Sequence, residues 1–133
     1  MKQWMGTKRR RGAAAVEMAL VTPLLLTMLF GIIEYGWVFS VRQTLTHAAR
    51  EGARVAVLQG TDEDDITDRI DAVLAPYGIT SHTITMEHAT TDDPTETVRV
   101  QVPYADITLI GEYFGNTTQT LGAVASMRKE GVD

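Results

Sequence analysis

Three patterns of apolar and polar positions follow one another along the chain. The first is continuous. Met18 to Ile33 is 16 residues without a charge, slightly short of the ~20 that cross a bilayer as a helix. Extended back to Ala13 and forward to Phe39, the segment reaches span length and takes in Glu17 and Glu34. Nine of its residues (Leu20, Val21, Leu24, Leu25, Leu26, Leu29, Phe30, Ile32, Ile33) favour insertion by roughly −3 to −5 kcal/mol together. One central charge costs roughly +2.5 to +3.5. Insertion is therefore favourable if Glu17 and Glu34 sit near the two ends. Tyr35 and Trp37 then fall where an interfacial aromatic belt is expected. Glu34, near the far interface, reads as solvated. Pro23 loosens the helix in a way that membrane helices tolerate.

The second pattern is helical and one-sided. Val38, Val41, Leu45, Ala48, Ala49, Val55 and Ala56 follow steps of three and four, whereas Arg42, Gln43, Arg50, Glu51 and Arg54 fall mostly elsewhere. The helix is thus expected to continue from Ala13 to Leu58, with Gly52 as a soft spot and Gln59-Gly60 as the stop. At 1.5 Å per residue it is about 70 Å long. Its lower half, residues 14–37, spans the membrane, and its upper half packs on a small head.

The third pattern, from residue 59 to 133, mixes short elements. Thr61 reads as a helix cap, with Asp62, Glu63, Asp64 and Asp65 favoured in the first turn by the helix dipole. Ile66, Ile70, Val73 and Leu74 share one face, and Pro76-Tyr77-Gly78 ends the helix. Ile79–Glu87 reads as a strand, with Ile84 and Met86 on one side. Asp92-Asp93-Pro94 marks a loop. Val98, Val100, Val102 and Tyr104 alternate as a strand, and Pro103 marks an edge or a strand end. Ile107–Phe114 fits either a short helix or an apolar turn. Gly115–Thr118 reads as a turn, and Gln119–Lys129 as a third strand. The expected fold is α+β: a long N-terminal membrane-spanning helix, with a head of one helix and about three antiparallel strands. So small a head, without a disulfide, needs the stem to complete its core.

Charge sets the orientation. The net charge is −5, yet residues 1–12 carry five bases (Lys2, Lys8, Arg9, Arg10, Arg11) and no acid. The remainder is strongly acidic. Lys8, Arg9, Arg10 and Arg11 ahead of the apolar run act as a topology signal, with residues 1–12 a cytoplasmic leader and the head across the membrane. Nucleic acid is excluded as a partner, because the basic block is short and the acidic remainder repels phosphate. With no cysteine, disulfides, thiol nucleophiles and thiolate metal sites are excluded. Membrane lipid is the partner that the segment itself specifies.

Three readings of the segment stay open on residues alone. A cleaved secretory signal has the right charge order, but no small-x-small site follows the apolar run. A plain signal anchor keeps the whole chain, with an exported head that binds a ligand or partner. A prepilin-type signal is cut before the apolar helix, after a glycine. Gly12 is the candidate there, with Ala13 as the new N-terminus and Glu17 at its fifth position.

The ordered set Arg10-Arg11-Gly12-Ala13-Ala14-Ala15-Val16-Glu17-Met18-Ala19-Leu20, Pro23–Leu26, Gly31–Gly36 and Ala48–Arg54 resembles the TadE-like proteins, pseudopilins of tight-adherence (Flp-type) pili. Val98–Tyr104 and Ala125–Glu130 are similar to that family's C-terminal strands. The resemblance implies bacterial inner-membrane insertion and cleavage between Gly12 and Ala13 by a prepilin peptidase. It implies further partners among pilins, pseudopilins and inner-membrane pilus assembly proteins. It also implies that Glu17 pairs with the free amine of a neighbouring subunit during assembly. That pairing suits a carboxylate in lipid, which needs a cationic partner at similar depth.

Enzyme chemistry is not expected, and no cofactor is. His82 and His88, near Glu87, Asp92 and Asp93, match no established zinc spacing and read as solvated surface. A calcium loop from Asp62 places Thr67 where glycine is needed and Val73 where glutamate is needed. His47 has no second ligand in view. No nucleophile elbow or phosphate loop is present. Asn116-Thr117-Thr118 fits a glycosylation sequon, a short match that chance supplies often.

Overall fold

A computed structural model describes residues 6–111 and 118–129, with side chains from residue 12 onward. The first helix, α1, runs unbroken from Gly6 to Ala56, 51 residues and about 76 Å. It begins a little earlier than Ala13, because Lys and Arg are good helix formers and nothing among residues 8–11 breaks it. It ends at Ala56 rather than Leu58. Pro23 lies inside it. Thr22 and Thr27 donate their hydroxyls to the carbonyls of Met18 and Pro23, so their polar atoms are satisfied within the helix.

Helix α2, Glu63–Leu74, is capped by Asp62 rather than Thr61. The Asp62 carboxylate accepts from the Asp65 amide at 3.0 Å, and the Asp65 carboxylate accepts from the Asp62 amide at 3.4 Å. This reciprocal box is why the start falls one residue later than the adjacent threonine suggests. A single 3-10 turn, Ala75–Tyr77, follows, and Gly78 closes it in the left-handed region at φ 69°.

The strands are β1 (Thr83–Glu87), β2 (Thr95–Pro103) and β3 (Thr120–Arg128), separated by the one-turn helix α3 (Tyr104–Ile107) between β2 and β3. They form an antiparallel sheet in the order β1-β2-β3, with Ile84 opposite Val100 and Val100 opposite Ala123. β1 starts at Thr83, not Ile79. Ile79 is buried outside the sheet. β2 is the central strand, so Pro103 marks its end and not an edge. Pro103 fixes the chain where Tyr104 turns into α3 instead of continuing the alternation. Residues 112–117, including Tyr113, Phe114 and the sequon residues Asn116 and Thr117, lie outside the described residues.

One face of the sheet packs on the helices. Val98, Val100 and Val102 are fully buried beneath Val41, Leu45, Ala48, Ala49 and Ala53 of α1 and Ile66, Ile70 and Leu74 of α2. The small residues of α1 permit that approach. A Cβ on Gly52 would lie 2.8 Å from Ile70 Cδ1 and 3.3 Å from Val98 Cγ1. Gly52 is therefore a packing position where α1, α2 and β2 meet, not a soft spot. Glu51 ties α1 to α2, accepting from Arg69 at 2.6 Å and from Arg54 at 3.2 Å. The Arg69 bond foremost holds the Glu51 carboxyl below its usual range.

Candidate functional site

The lower half of α1 is where the fold leaves the greatest apolar area uncovered. Val16, Leu20, Leu24, Met28, Leu29, Phe30 and Ile32 are all exposed, and none of the most apolar stretch is covered by the head. A helix apolar on every side is stable in a protein core or in lipid, and no protein core encloses this one. Gly12 lies in the helix with open space around it, and Ala13 and Glu17 beside it are exposed. No ion pair among the described residues involves Glu17. The backbone of Lys8–Arg11 is helical, and the side chains of these residues lie outside the described ones.

At the other end of the apolar run, Glu34 is not solvated. Its carboxylate accepts four hydrogen bonds from a segment 70 to 76 residues away. Tyr104 Oη donates to Oε1 at 3.1 Å, and Thr108 Oγ1 donates to the same oxygen. The backbone amides of Leu109 and Ile110 donate to Oε2 at 3.0 and 3.2 Å. Three turns of sequence create this receptor. Pro103 ends β2, α3 reverses the chain, and the residues after it present successive amides with no strand or helix partner of their own. Trp37 reinforces the junction, its Nε1 donating to the Ile107 carbonyl at 2.6 Å. The Thr108 hydroxyl also accepts from the Gly111 amide at 2.6 Å. Both oxygens of the carboxylate are thus satisfied, each by two donors. The sequence offered one signal for it: an acid just past an apolar run, with Phe30 and Val38 at its helical neighbours and hence no cation within the helix to pair with.

The histidines do not make a shared centre. His82 Nε2 meets Asp71 of α2 at 2.9 Å. His88 sits between Glu63 (3.1 Å) and Glu96 (3.2 Å). Both are thus engaged rather than merely solvated, and by different carboxylates. The hydrogen bond to Glu63 is the largest cause raising the His88 pKa above its usual value, with the charge of Glu96 adding to it. Glu96, buried on β2, also accepts from Lys129 Nζ at 3.1 Å. That ammonium lies 3.4 Å from the Ala56 carbonyl, where a cation complements the C-terminal end of α1. Among the described residues no three His, Asp or Glu side chains are arranged to hold a metal. His47 is exposed on α1.

An exposed apolar stem locked to an α+β head defines a membrane-anchored protein. Residues 12–54 match the family model described as TadE-like protein. The chain's resemblance to the TadE-like family is thereby shown over that stretch. The match runs from Gly12 almost to the end of α1, so it includes Glu17 and Glu34 and stops short of the head. No curated protein matches the chain. No solved structure matches it.

Proposed function

We propose that the chain is a pseudopilin, a structural or assembly subunit of a tight-adherence (Flp-type) pilus or a related secretion machine. In this reading Lys8–Arg11 hold the N-terminus in the cytoplasm, α1 crosses the inner membrane in its lower half, and residues 59–133 form an extracytoplasmic head. A prepilin peptidase cuts between Gly12 and Ala13. Glycine suits such a site because it adds no side chain at a bond that a protease must approach. The released Ala13 amine stands about 6 Å along the axis from Glu17 of its own helix, so a neighbouring subunit offset by about one turn brings its Glu17 level with that amine. A carboxylate and an ammonium at equal depth in lipid relieve each other's desolvation, which a lone charge there cannot do. The neighbours are other pilins, pseudopilins and inner-membrane assembly proteins.

The observation that carries the reading is the conjunction of a family match with Glu17, an exposed carboxylate at the start of an uncovered apolar run. N-terminal sequencing of protein from its native membrane tests the first step, with a start at Ala13 expected. Gly12→Val is expected to leave unprocessed protein in the membrane. Glu17→Ala is expected to be processed normally yet to lose pilus output. A start at Met1 with the peptidase present removes the processing step, and wild-type piliation by Glu17→Ala removes the assembly role.

A further inference from the structure

The junction at Glu34 has a depth as well as a set of partners. Residues 13–33 rise about 31 Å at 1.5 Å per residue, which matches a hydrocarbon thickness of about 30 Å. Glu34 therefore stands at the outer rim of the span. Helical side chains tilt toward the helix N-terminus, so its carboxylate hangs over the turn below and draws its four donors down to that level. The cleft beside the junction agrees. It holds about 360 Å³, and Glu34 and Tyr104 line it together with Gly31, Tyr35, Val38 and Ile110. Gly31 belongs to the apolar run, so the lower wall of the cleft lies inside the span. Leu109, held by its own amide on Glu34, is 56% exposed, and Tyr35 beside the junction is 75% exposed. Phe39, one turn higher, is exposed as well.

We propose that the segment Tyr104–Gly111 is a membrane-contacting element of the head, with Leu109 seated in the interfacial layer of the outer leaflet and Glu34 fixing its depth. The inference rests on the membrane-anchored reading of α1. Its occupant is lipid, because the exposed leucine continues the uncovered apolar surface of the stem at the same height. An aqueous surroundings would leave Leu109 unburied, whereas transfer of its side chain to the interface is favourable. Tyr35 and Trp37 suit that layer, having an apolar ring and a polar atom each. The consequence is that the head is not a freely rocking appendage. It touches the bilayer on one side of the stem, and so presents a fixed face to whatever assembles beside it.

The absence of cysteine in the chain makes the test direct. Single cysteines replace Leu24, Leu58 or Leu109 in the full chain, and each carries a polarity-sensitive nitrobenzoxadiazole label. Each protein is reconstituted into phosphatidylethanolamine–phosphatidylglycerol vesicles with and without nitroxide-bearing lipid. Leu58 is the matched control. It is also 56% exposed, but lies beyond the far end of α1, about 33 Å further along the stem. The labels at 24 and 109 are expected to emit at shorter wavelength than the label at 58 and to lose several-fold more intensity to nitroxide lipid. In the Glu34→Gln background the label at 109 is expected to shift toward the behaviour of 58 while 24 stays unchanged. A label at 109 as water-exposed and unquenched as that at 58, with 24 quenched, overturns the proposal and spares the anchor. An unquenched label at 24 overturns both. A blue shift at 109 without nitroxide quenching, growing with the protein-to-lipid ratio, assigns the surface to a second copy and overturns the lipid assignment.

Discussion

Glu34→Ala isolates the junction from the rest of the fold. The substitution removes the acceptor of four hydrogen bonds and leaves the core side chains of α1, α2 and β2 in place, Ile107 being the one core residue of the segment it frees. Bonds to a charged group contribute about 1.5–3 kcal/mol each where water is excluded. Here Leu109 is exposed and Ile110 half-buried, so water replaces part of what is lost, and deletion also recovers the cost of desolvating the carboxylate. The Trp37 bond to Ile107 remains. A net loss of about 2–4 kcal/mol from the docking of residues 104–111 follows. At 1.4 kcal/mol per tenfold, that is a rise of roughly 30- to 700-fold in the local opening constant. Amide hydrogen exchange on the full chain in micelles reads it at the amides of Leu109 and Ile110 specifically. The amides of Val98, Val100 and Val102 are expected to keep their protection. Glu34→Gln should fall between, since its one carbonyl oxygen serves the hydroxyls or the amides but not both. Unchanged exchange at Leu109 and Ile110 in Glu34→Ala would show that α3 and Trp37 hold the segment alone, and the junction argument would be refuted.

Two further outcomes follow from the head. Gly52→Leu is expected to destabilise the chain by about 1–3 kcal/mol or more in denaturant unfolding, because the new side chain meets Ile70 and Val98 in a packed interior. Gly52→Ala, which trades a smaller clash for better helix propensity, should be much milder, and equal costs for the two would argue against close packing there. His88 sets a pH dependence with a defined sign. Its pKa is raised in the folded protein, so its contribution is fully present below the unfolded value of about 6.5 and is lost as pH rises through the folded value. His88 is half exposed, and screening keeps the effect below about 1 kcal/mol. Wild type should therefore lose slightly more stability between pH 6 and pH 8 than His88→Gln does, and identical slopes would remove the pairing with Glu63 and Glu96.

Elements whose residues repeat at a single period were legible from the chain alone. Val98, Val100 and Val102 alternate and are buried. Ile66, Ile70 and Leu74 share a face and are buried. The upper stem from Val41 to Ala56 shows its packed side in steps of three and four. What escaped was set by contacts that leave little trace in local pattern. Thr61 and Asp62 are both good caps with an acid three residues on, and only the chain's approach to α2 selects the second. Glu34 was assigned to water because its partners lie 70 to 76 residues away and two of them are backbone amides, which every non-proline residue carries. Gly52 reads as a weak point in the sequence because the side chains that need its missing Cβ come from α2 and β2.

Stem and head are consequently not separable units of function. The family match covers the stem, but the stem also supplies one wall of the head's core through Val41, Leu45, Ala48, Ala49 and Ala53. The head is fastened at both ends of that wall, through Glu34 and Trp37 near the span and through Glu51 and Lys129 near the top. The part of α1 so braced, residues 34–56, is about 35 Å long and moves with the head as one body. Above Trp37 the one glycine of α1 is Gly52, which is packed between α2 and β2, so a tilt of that part of the stem is carried to the sheet without a hinge inside the contact. A subunit built this way suits an assembly in which helix packing in the membrane determines the presentation of surface outside it.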